Sequence, residues 1–473
     1  MAASILSPWL SLKLWLFLFL WCAYGAAINS ANLVDFNLQQ AGVEAIVERK
    51  QFSIDGSASP HLQFRAYTHR GRPFGDIFDY NGHLYAAKQP GQFMAGALVY
   101  FFLHLFGLNY VNDYLLVSAL VTFFTTALAT ALAAVAVFEA ARELSGGHAV
   151  ALPLVAALAY GLATPAFVYS GIAHHDQLAS AYLAIAFYLV LLIARRRVSS
   201  HAEKPAALGA GLLLGLTLTT SVLPVLMVIV VFIYLVSLPG WKTIIFAALG
   251  IIVGMAPMLI YNAAAFGNPF LLPNLAGGYR DTFLIPNPNQ WLSHAGFYVS
   301  AIALYVPAFL LGLAGLIFFP REQRREQIVL VIILAVLAVH VLNIETDGGC
   351  QYGPRYLLPA MPFACLGLIG FAYLRATTAR RLGIAFVSVV TVASFVVSVL
   401  GAVYGAMYCE TGRYALWPYV NALSRGDWRA MPLARGLVLP LIISALSLAF
   451  AARTYHFAQE QPQKPRGETS GPE

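Results

Sequence analysis

The chain has 473 residues, of which 59% are hydrophobic and only 10% are charged. A soluble globular protein carries about 25% charged residues, so this composition excludes a soluble fold and predicts an all-α membrane protein with many spans. The net charge of +7 lies mostly in short clusters between apolar spans, where charge sets topology, and therefore does not indicate nucleic-acid binding.

The first apolar run resembles a signal peptide, because Lys13 precedes an uncharged stretch that extends to about Ala27. We interpret it as a retained transmembrane helix, and the small residues 23–27 leave cleavage as the alternative. Apolar runs of about 20 residues predict further spans. The predicted spans are 10–28, 114–140, 148–169, 177–194, 205–222, 223–238, 243–265, 295–318, 327–343, 356–373, 382–407 and 436–452.

These runs predict about 12–13 transmembrane helices in a single domain over residues 1–453, followed by a disordered cytoplasmic tail at 454–473. Short basic clusters should lie inside, and from Arg195 onward they all fall on one side of the membrane. The clusters are Arg195-Arg196-Arg197 with Lys204, Arg321 with Arg324 and Arg325, Arg375 with Arg380 and Arg381, and Arg453. Residues 29–90 and 174–176 can both lie outside, with Arg142 inside, only if the run 92–108 dips into the membrane or lies along its surface, which we favour.

Ionisable residues gather on the predicted outer face, where each one is costly and indicates function. They are Asp35, Asp76, Asp79, His83, Lys88, His174, His175, Asp176, Arg280, Asp281, Glu345, Asp347 and Arg355. This mixture of acids and cations suits an amphipathic substrate, such as a lipid phosphate with a polar head group. Cys350 and Cys409 also fall on this side, so a disulfide between them is one interpretation.

The segment 31–50 has the pattern of an amphipathic helix, in which Asp35 and Gln39 are one turn apart and share a face. Asp35 is therefore a candidate general base just beyond the first span. The alternative is an acid that only favours the helix dipole.

Lys88 precedes Pro90, where a helix should begin, so it is placed to bind a phosphate near free N–H groups. The alternative is a lysine that snorkels to lipid head groups. His174, His175 and Asp176 precede the next span with poor spacing for a metal, and they either contact the substrate or cap a helix.

The loop 345–356 is the most distinctive, because three glycines and a proline let the backbone approach a ligand. It contains Glu345 and Asp347, and it ends at Arg355, whose planar fork suits a phosphate. The alternative is an ordinary interfacial arginine.

These stretches resemble the polytopic GT-C glycosyltransferases, in particular the branch with protein O-mannosyltransferases and the aminoarabinose transferase of lipid A. The resemblance extends to about Phe363. The resemblance rests on four stretches: Ala45-Ile46-Val47-Glu48 through Ile54-Asp55, Tyr80-Asn81-Gly82-His83-Leu84-Tyr85 through Lys88-Gln89-Pro90-Gly91, Ala263-Ala264-Ala265-Phe266-Gly267-Asn268-Pro269, and Gly353-Pro354-Arg355-Tyr356-Leu357-Leu358-Pro359. The chain departs from the family in two places. Members often have an arginine shortly after the first-loop acid, where this chain has Gln39 and Gln40, and the family's Lys-Pro-Pro is Lys88-Gln89-Pro90 here.

The resemblance implies transfer of a sugar from a polyprenyl-phosphate donor to a protein, lipid or glycan acceptor, on the outer side of a bacterial-type inner membrane. It implies Asp35 as the base, with Asp79 as the second candidate. The expected substrate-binding residues are Lys88, His83, Arg355, Tyr356, His174, His175, Asp176, Glu345 and Asp347. The reaction needs no nucleotide cofactor, no convincing metal-ligand set is present, and a divalent cation stays an open alternative.

Two other classes of function stay open. A secondary transporter is also polytopic, but it holds its polar residues near the bilayer midplane and often contains internal repeats. A flippase or lipid-binding scaffold would need the cations but not the acid.

Overall fold

The computed structural model describes residues 8–69, 72–74, 76–146, 150–238, 240–279, 287–344, 346, 348, 351–407 and 416–460. Within these ranges the chain is helical apart from two small hairpins. The first helices are α1 (Pro8–Ala27), α2 (Ser30–Asp35), α3 (Leu38–Glu44), α4 (Gly91–Leu105), α5 (Tyr114–Thr122), α6 (Leu128–Leu144), α7 (Ala151–Leu162), α8 (Pro165–Ser170), α9 (His175–Ala194), α10 (Ser200–Thr220), α11 (Val225–Val236) and α12 (Trp241–Phe266). The rest are α13 (Pro273–Ala276), α14 (Pro288–Tyr305), α15 (Pro307–Leu316), α16 (Arg324–Asn343), α17 (Met361–Gly367), α18 (Thr377–Tyr404), α19 (Trp417–Ser424) and α20 (Ala434–Glu460).

Seven helices in the described ranges are long and apolar enough to cross a membrane, and one bent pair and four shorter apolar helices accompany them. This confirms the predicted all-α membrane fold. The longest helix is Tyr114–Leu144, in which the π-helical turn Phe123–Ala127 joins α5 to α6 without a break. The chain is a multi-pass membrane protein.

Three predicted continuous helices are interrupted. The span predicted at 295–318 bends by 104° between α14 and α15, where Pro307 follows Val306 and lacks the N–H that would continue the helix. The span predicted at 148–169 breaks before Pro165 for the same reason. The amphipathic helix predicted at 31–50 is divided at Phe36 and Asn37 and ends in a π-helical turn.

The division at Phe36 and Asn37 changes the face that Asp35 presents. Asp35 is exposed, whereas Gln39 is buried, so the prediction that both share a face is wrong. At the other end of the chain, α20 continues to Glu460, so the predicted tail does not begin at residue 454. Residues 461–473 lie outside the described ranges, as do Cys350 and Cys409.

Helix α4 is tied to other segments near both of its ends. A Cβ atom at Gly91 would lie 2.3 Å from Oγ1 of Thr220, at the C-terminal end of α10. Beyond the other end of α4, the Tyr110 hydroxyl donates to Oε1 of Gln40 at 2.6 Å, and the Ser59 hydroxyl donates to the Tyr110 carbonyl. Fifteen residues span only about 22 Å, less than the hydrocarbon core. That 92–108 does not cross the membrane stays a prediction, which this length favours.

Two features hold the bundle together. Helices α10 and α12 pack backbone to backbone, since a Cβ atom at Gly211 would lie 2.0 Å from the Ala247 carbonyl oxygen. Elsewhere in the bundle, buried glutamates form ion pairs with basic residues. The ion pairs are Lys13–Glu139, Arg142–Glu139, Arg197–Glu143 and Arg195–Glu326.

The outer loop carries the hairpins β1 (Tyr67–His69) with β2 (Arg72–Phe74), and β3 (Ile77–Tyr80) with β4 (His83–Ala86). In the second hairpin Ile77 pairs with Ala86 and Tyr80 with His83. Asn81 and Gly82 both have positive φ, which matches the twist of a two-residue turn. This hairpin leads into α4 and positions the site.

Candidate active site

The base of hairpin β3–β4 joins an acid to a cation. The Ala87 N–H donates to the Asp76 carbonyl at 2.8 Å, which closes the hairpin. Asp76 is held in the left-handed region with φ of 61°. Its Oδ2 lies 3.0 Å from Nζ of Lys88, whose side chain is 12% exposed, while that of Asp76 is 46% exposed. The pair therefore spans the boundary between the protein surface and the protein interior.

Arg355 lies at the start of the 3-10 segment Arg355–Ala360 and is buried. Its Nη1 donates to Oε1 of Gln351 at 2.9 Å, and its Nη2 donates to the hydroxyl of Tyr356 at 3.0 Å. The guanidinium also stacks 4.7 Å from the centre of the Tyr356 ring. Its Nε has no hydrogen-bond partner among the residues that the structure describes. A buried donor without a partner is costly.

Helix α9 contributes a second acid to this region. Asp176 is buried in its first turn, and its Oδ1 accepts a hydrogen bond from the Ser221 hydroxyl at 2.7 Å. Nε2 of His175 lies 3.4 Å from the same oxygen. These contacts fix the outer ends of α9 and α10 against each other.

Most of these groups meet at one small cavity of about 30 Å³, which we call the polar cavity. Asp76 is not among its lining residues and adjoins it through Lys88. Its lining residues are Lys88, Gln89, His175, Asp176, Ser221, Val222, Leu223, Asn274, Ile344, Arg355 and Tyr356. They come from the hairpin, α9, the ends of α10 and α16, α13 and the segment Arg355–Ala360. The polar cavity therefore exists only in the folded bundle.

The charges around the polar cavity act on Asp76. Partial burial alone would raise the pKa of Asp76, but the positive charge of Lys88, together with Arg355 and His175, outweighs it. The pKa of Asp76 consequently lies below its usual value, and the carboxylate is ionised at neutral pH.

A larger cavity of about 500 Å³, which we call the apolar groove, lies between α14, α15 and α16. Leu357 and Ala360 close it on one side, and most of its lining side chains are aliphatic, including Leu313 and Ala338. The groove and the polar cavity share two walls, the outer end of α16 and the segment Arg355–Ala360. A charged site and an apolar channel thus adjoin each other.

Known folds contain the same arrangement of helices. No protein-family model and no curated protein sequence matches the chain. Among solved structures, ArnT from Cupriavidus metallidurans bound to undecaprenyl phosphate is similar, with a TM-score of 0.50 and 16% identity over 95% of this chain and 76% of ArnT. ArnT is a lipid A aminoarabinose transferase of the GT-C class. The chain has the GT-C fold.

A second similar structure is the archaeal oligosaccharyltransferase AglB from Archaeoglobus fulgidus, in complex with an inhibitory peptide and a dolichol-phosphate. Its TM-score is 0.48 at 11% identity, and the match covers 97% of this chain but 61% of AglB.

Within this GT-C fold, five of the sequence-predicted site residues line the polar cavity, and they come from three separate parts of the chain. They are Lys88, His175, Asp176, Arg355 and Tyr356. His174 is buried beside them, with its ring 4.9 Å from that of His175. Glu345 and Asp347 lie outside the described residues.

The two predicted bases are not among the residues that line the polar cavity. Asp35 is exposed at the end of α2, and burial of part of the carboxyl raises its pKa while Arg429 opposes that shift. Asp79 is exposed, and its Oδ1 accepts from the Gly82 N–H at 3.1 Å, so it stabilises the hairpin turn. His83 is exposed too, and its Nδ1 lies 3.3 Å from Oδ2 of Asp55.

Sequence reasoning did not assign roles to four residues of this region, namely Asp76, Gln89, Ser221 and Asn274. Asp76 is one of the ionisable residues of the predicted outer face, but no local pattern favoured it over Asp35 or Asp79. Ser221 and Asn274 carry no local signal, because only tertiary packing brings them to Lys88. Among the described residues, no three His, Cys, Asp or Glu side chains are grouped to hold a metal ion.

Proposed function

We propose that this protein is a membrane glycosyltransferase that moves a sugar from a polyprenyl-phosphate donor to an acceptor at the outer face of the membrane. The observation that carries the proposal is the shared cavity of Lys88 and Arg355, which adjoins the apolar groove. Two cations beside an apolar channel suit a ligand that is an anion at one end and a hydrocarbon at the other.

Lys88 and Arg355 bind the phosphate of the donor. Both are largely buried, so their attraction to an anion is little screened by water. The Nε of Arg355 has no partner in the described structure and completes its fork when a phosphate oxygen arrives. Charge grows on this phosphate as the glycosidic bond breaks, so these contacts stabilise the transition state more than the ground state.

The apolar groove holds the first isoprene units of the donor lipid. Its side chains offer no charged group, and it opens beside the segment that carries Arg355. Burial of hydrocarbon there contributes about 0.8 kcal/mol for each methylene removed from water. The similar structure of ArnT was solved with undecaprenyl phosphate, which agrees with a ligand of this class.

The reaction is an inverting displacement at the anomeric carbon. An acceptor hydroxyl forms a bond to that carbon, the bond to the phosphate oxygen breaks, and a carboxylate takes the hydroxyl proton. We assign the role of proton acceptor to Asp76, because its carboxylate is half exposed and adjoins Lys88. Asp35 and Asp79 are the alternatives, and they are tested by the same experiment.

Incubation of the purified protein in detergent with polyprenyl-phosphate sugars, followed by release of the free lipid phosphate, tests the proposal. We expect release that depends on an acceptor and that falls sharply in Lys88→Ala. Lys242→Ala, which removes an exposed lysine at the start of α12, is the matched control. Movement of intact sugar lipid across vesicles without release would instead favour the flippase alternative.

A further inference from the structure

Two buried amides meet in the polar cavity. Nε2 of Gln89 donates a hydrogen bond to Oδ1 of Asn274 at 2.6 Å, although the residues are 185 positions apart. Gln89 is 2% exposed and Asn274 is 3% exposed. Both line the polar cavity together with Lys88 and Arg355. We call these two residues the amide pair.

Each amide is held firmly by its own segment. Gln89 lies between Lys88 and the start of α4. Asn274 lies on α13, where its backbone carbonyl accepts a hydrogen bond from the Tyr279 backbone N–H at 2.7 Å. The Tyr279 hydroxyl donates to the Ile77 carbonyl at 3.1 Å, so the segment after α12 is also tied to β3. The amide pair is therefore preorganised before any ligand binds.

The hydrogen bond between the amides uses only part of their capacity. A primary amide carries two N–H donors and a carbonyl with two lone pairs. Neither side chain makes a second side-chain hydrogen bond within the described residues. The Gln89 carbonyl and the Asn274 amino group can still serve a ligand, and they offer an acceptor and a donor side by side. A sugar hydroxyl needs that combination, because it both donates and accepts.

We infer that the amide pair recognises the hydroxyl groups of the donor sugar. This inference rests on the proposed function and deepens it, because it divides the polar cavity into two parts. Lys88 and Arg355 bind the phosphate, which every donor shares. Gln89 and Asn274 bind the head group, which distinguishes one donor from another. Gln89 follows Lys88 directly, so the sugar lies next to the phosphate, as the glycosidic bond requires.

The competing interpretation is that the amide pair only fastens the segment after α12 to the loop before α4. The full-length protein in detergent separates the two interpretations, with two ligands: undecaprenyl phosphate and undecaprenyl-phosphate mannose. Gln89→Met and Asn274→Leu keep the side-chain volume and remove the free amide groups. Tyr279→Phe removes the hydrogen bond to Ile77, which is another tie of the same segment, and leaves the amide pair intact.

We expect Gln89→Met and Asn274→Leu to weaken binding of the sugar-bearing lipid about tenfold, the effect of losing one hydrogen bond. Their affinity for undecaprenyl phosphate should stay within about twofold of the wild type. Tyr279→Phe should change neither affinity. If Asn274→Leu destabilises the protein and lowers its thermal midpoint, Gln89→Met still tests the inference by itself.

Four results would overturn the inference. Equal losses for both ligands, or the same selective loss in Tyr279→Phe, would mean that the pair only fastens the segment. Unchanged affinities in both amide variants would mean that the sugar does not touch them. If the wild-type protein binds neither lipid, the proposed function itself fails and the inference with it.

Discussion

Nζ of Lys88 lies 3.0 Å from Oδ2 of Asp76, across the base of hairpin β3–β4. The hairpin register brings the two together, because Ile77 pairs with Ala86, Asp76 directly precedes Ile77, and Lys88 lies two residues after Ala86. A short β-hairpin thus places the acid of the proposed reaction beside a cation that lines the polar cavity.

The carboxylate that takes the proton can be identified by amide substitution. We expect Asp76→Asn to lower sugar transfer by about 10²- to 10⁴-fold, the usual contribution of a general base. Asp35→Asn and Asp79→Asn should stay within a few-fold of the wild type. The measurement is single-turnover release of lipid phosphate at saturating donor. A large loss in Asp35→Asn with a small one in Asp76→Asn would return the base to Asp35.

The pH dependence of transfer separates the same candidates. The folded-state pKa of Asp76 is lowered by Lys88 despite burial, so its ionised form is complete above the ordinary value of about 3.9 and is lost only as the pH falls through the lower folded value. We therefore expect the acid limb of the pH–rate profile below about pH 4. Burial raises the pKa of Asp35, so a limb clearly above that value would favour Asp35.

The two cations should contribute to donor binding in different ways. Lys88→Ala removes a charged hydrogen bond and should weaken binding of undecaprenyl phosphate by about 10- to 100-fold. Arg355→Lys keeps the charge but loses the planar fork and its stacking on Tyr356, and about tenfold weaker binding is expected. Calorimetry in detergent measures both affinities. Wild-type affinity in both variants would refute the phosphate site.

The apolar groove can be narrowed without touching the charges. Ala338→Phe places a ring in the groove, whereas Val339→Phe puts the same ring on the exposed side of α16. Loss of burial for two methylenes of the lipid corresponds to about a tenfold lower affinity. We expect this loss for undecaprenyl phosphate but not for a short-chain analogue, and only in Ala338→Phe. Equal effects on both ligands would contradict a chain-binding groove.

The contact between α10 and α12 should be sensitive to single methyl groups. A Cβ atom at Gly211 would lie 2.0 Å from a backbone oxygen of α12, so Gly211→Ala should destabilise the fold by about 1–3 kcal/mol. Gly296 in α14 has open space around its Cβ position, and Gly296→Ala should stabilise by about 0.5–1 kcal/mol. Thermal unfolding in detergent measures both changes. Destabilisation in Gly296→Ala alone would contradict this packing.

Much of the architecture follows from local sequence. Apolar runs located the spans, because burial in hydrocarbon requires about 20 residues without charge. A proline stands at each interruption before α8 and α15, but the prediction of spans from apolar runs took no account of it. No local pattern indicated the break at Phe36 and Asn37. Because of this break, Asp35 is exposed while Gln39 packs into the core.

The site shows the same division. Lys88 was found as a cation before a predicted helix and Arg355 as one at the start of a predicted span, and tertiary structure shows that they line one cavity.

The sequence by itself determined that this chain is a helical membrane protein, since hydropathy and charge are local quantities. Only the tertiary structure decided that Asp76 rather than Asp35 adjoins Lys88, and that Asn274 meets Gln89. Those contacts join residues up to 185 positions apart. They depend on how helices with similar apolar faces pack, which no local pattern specifies.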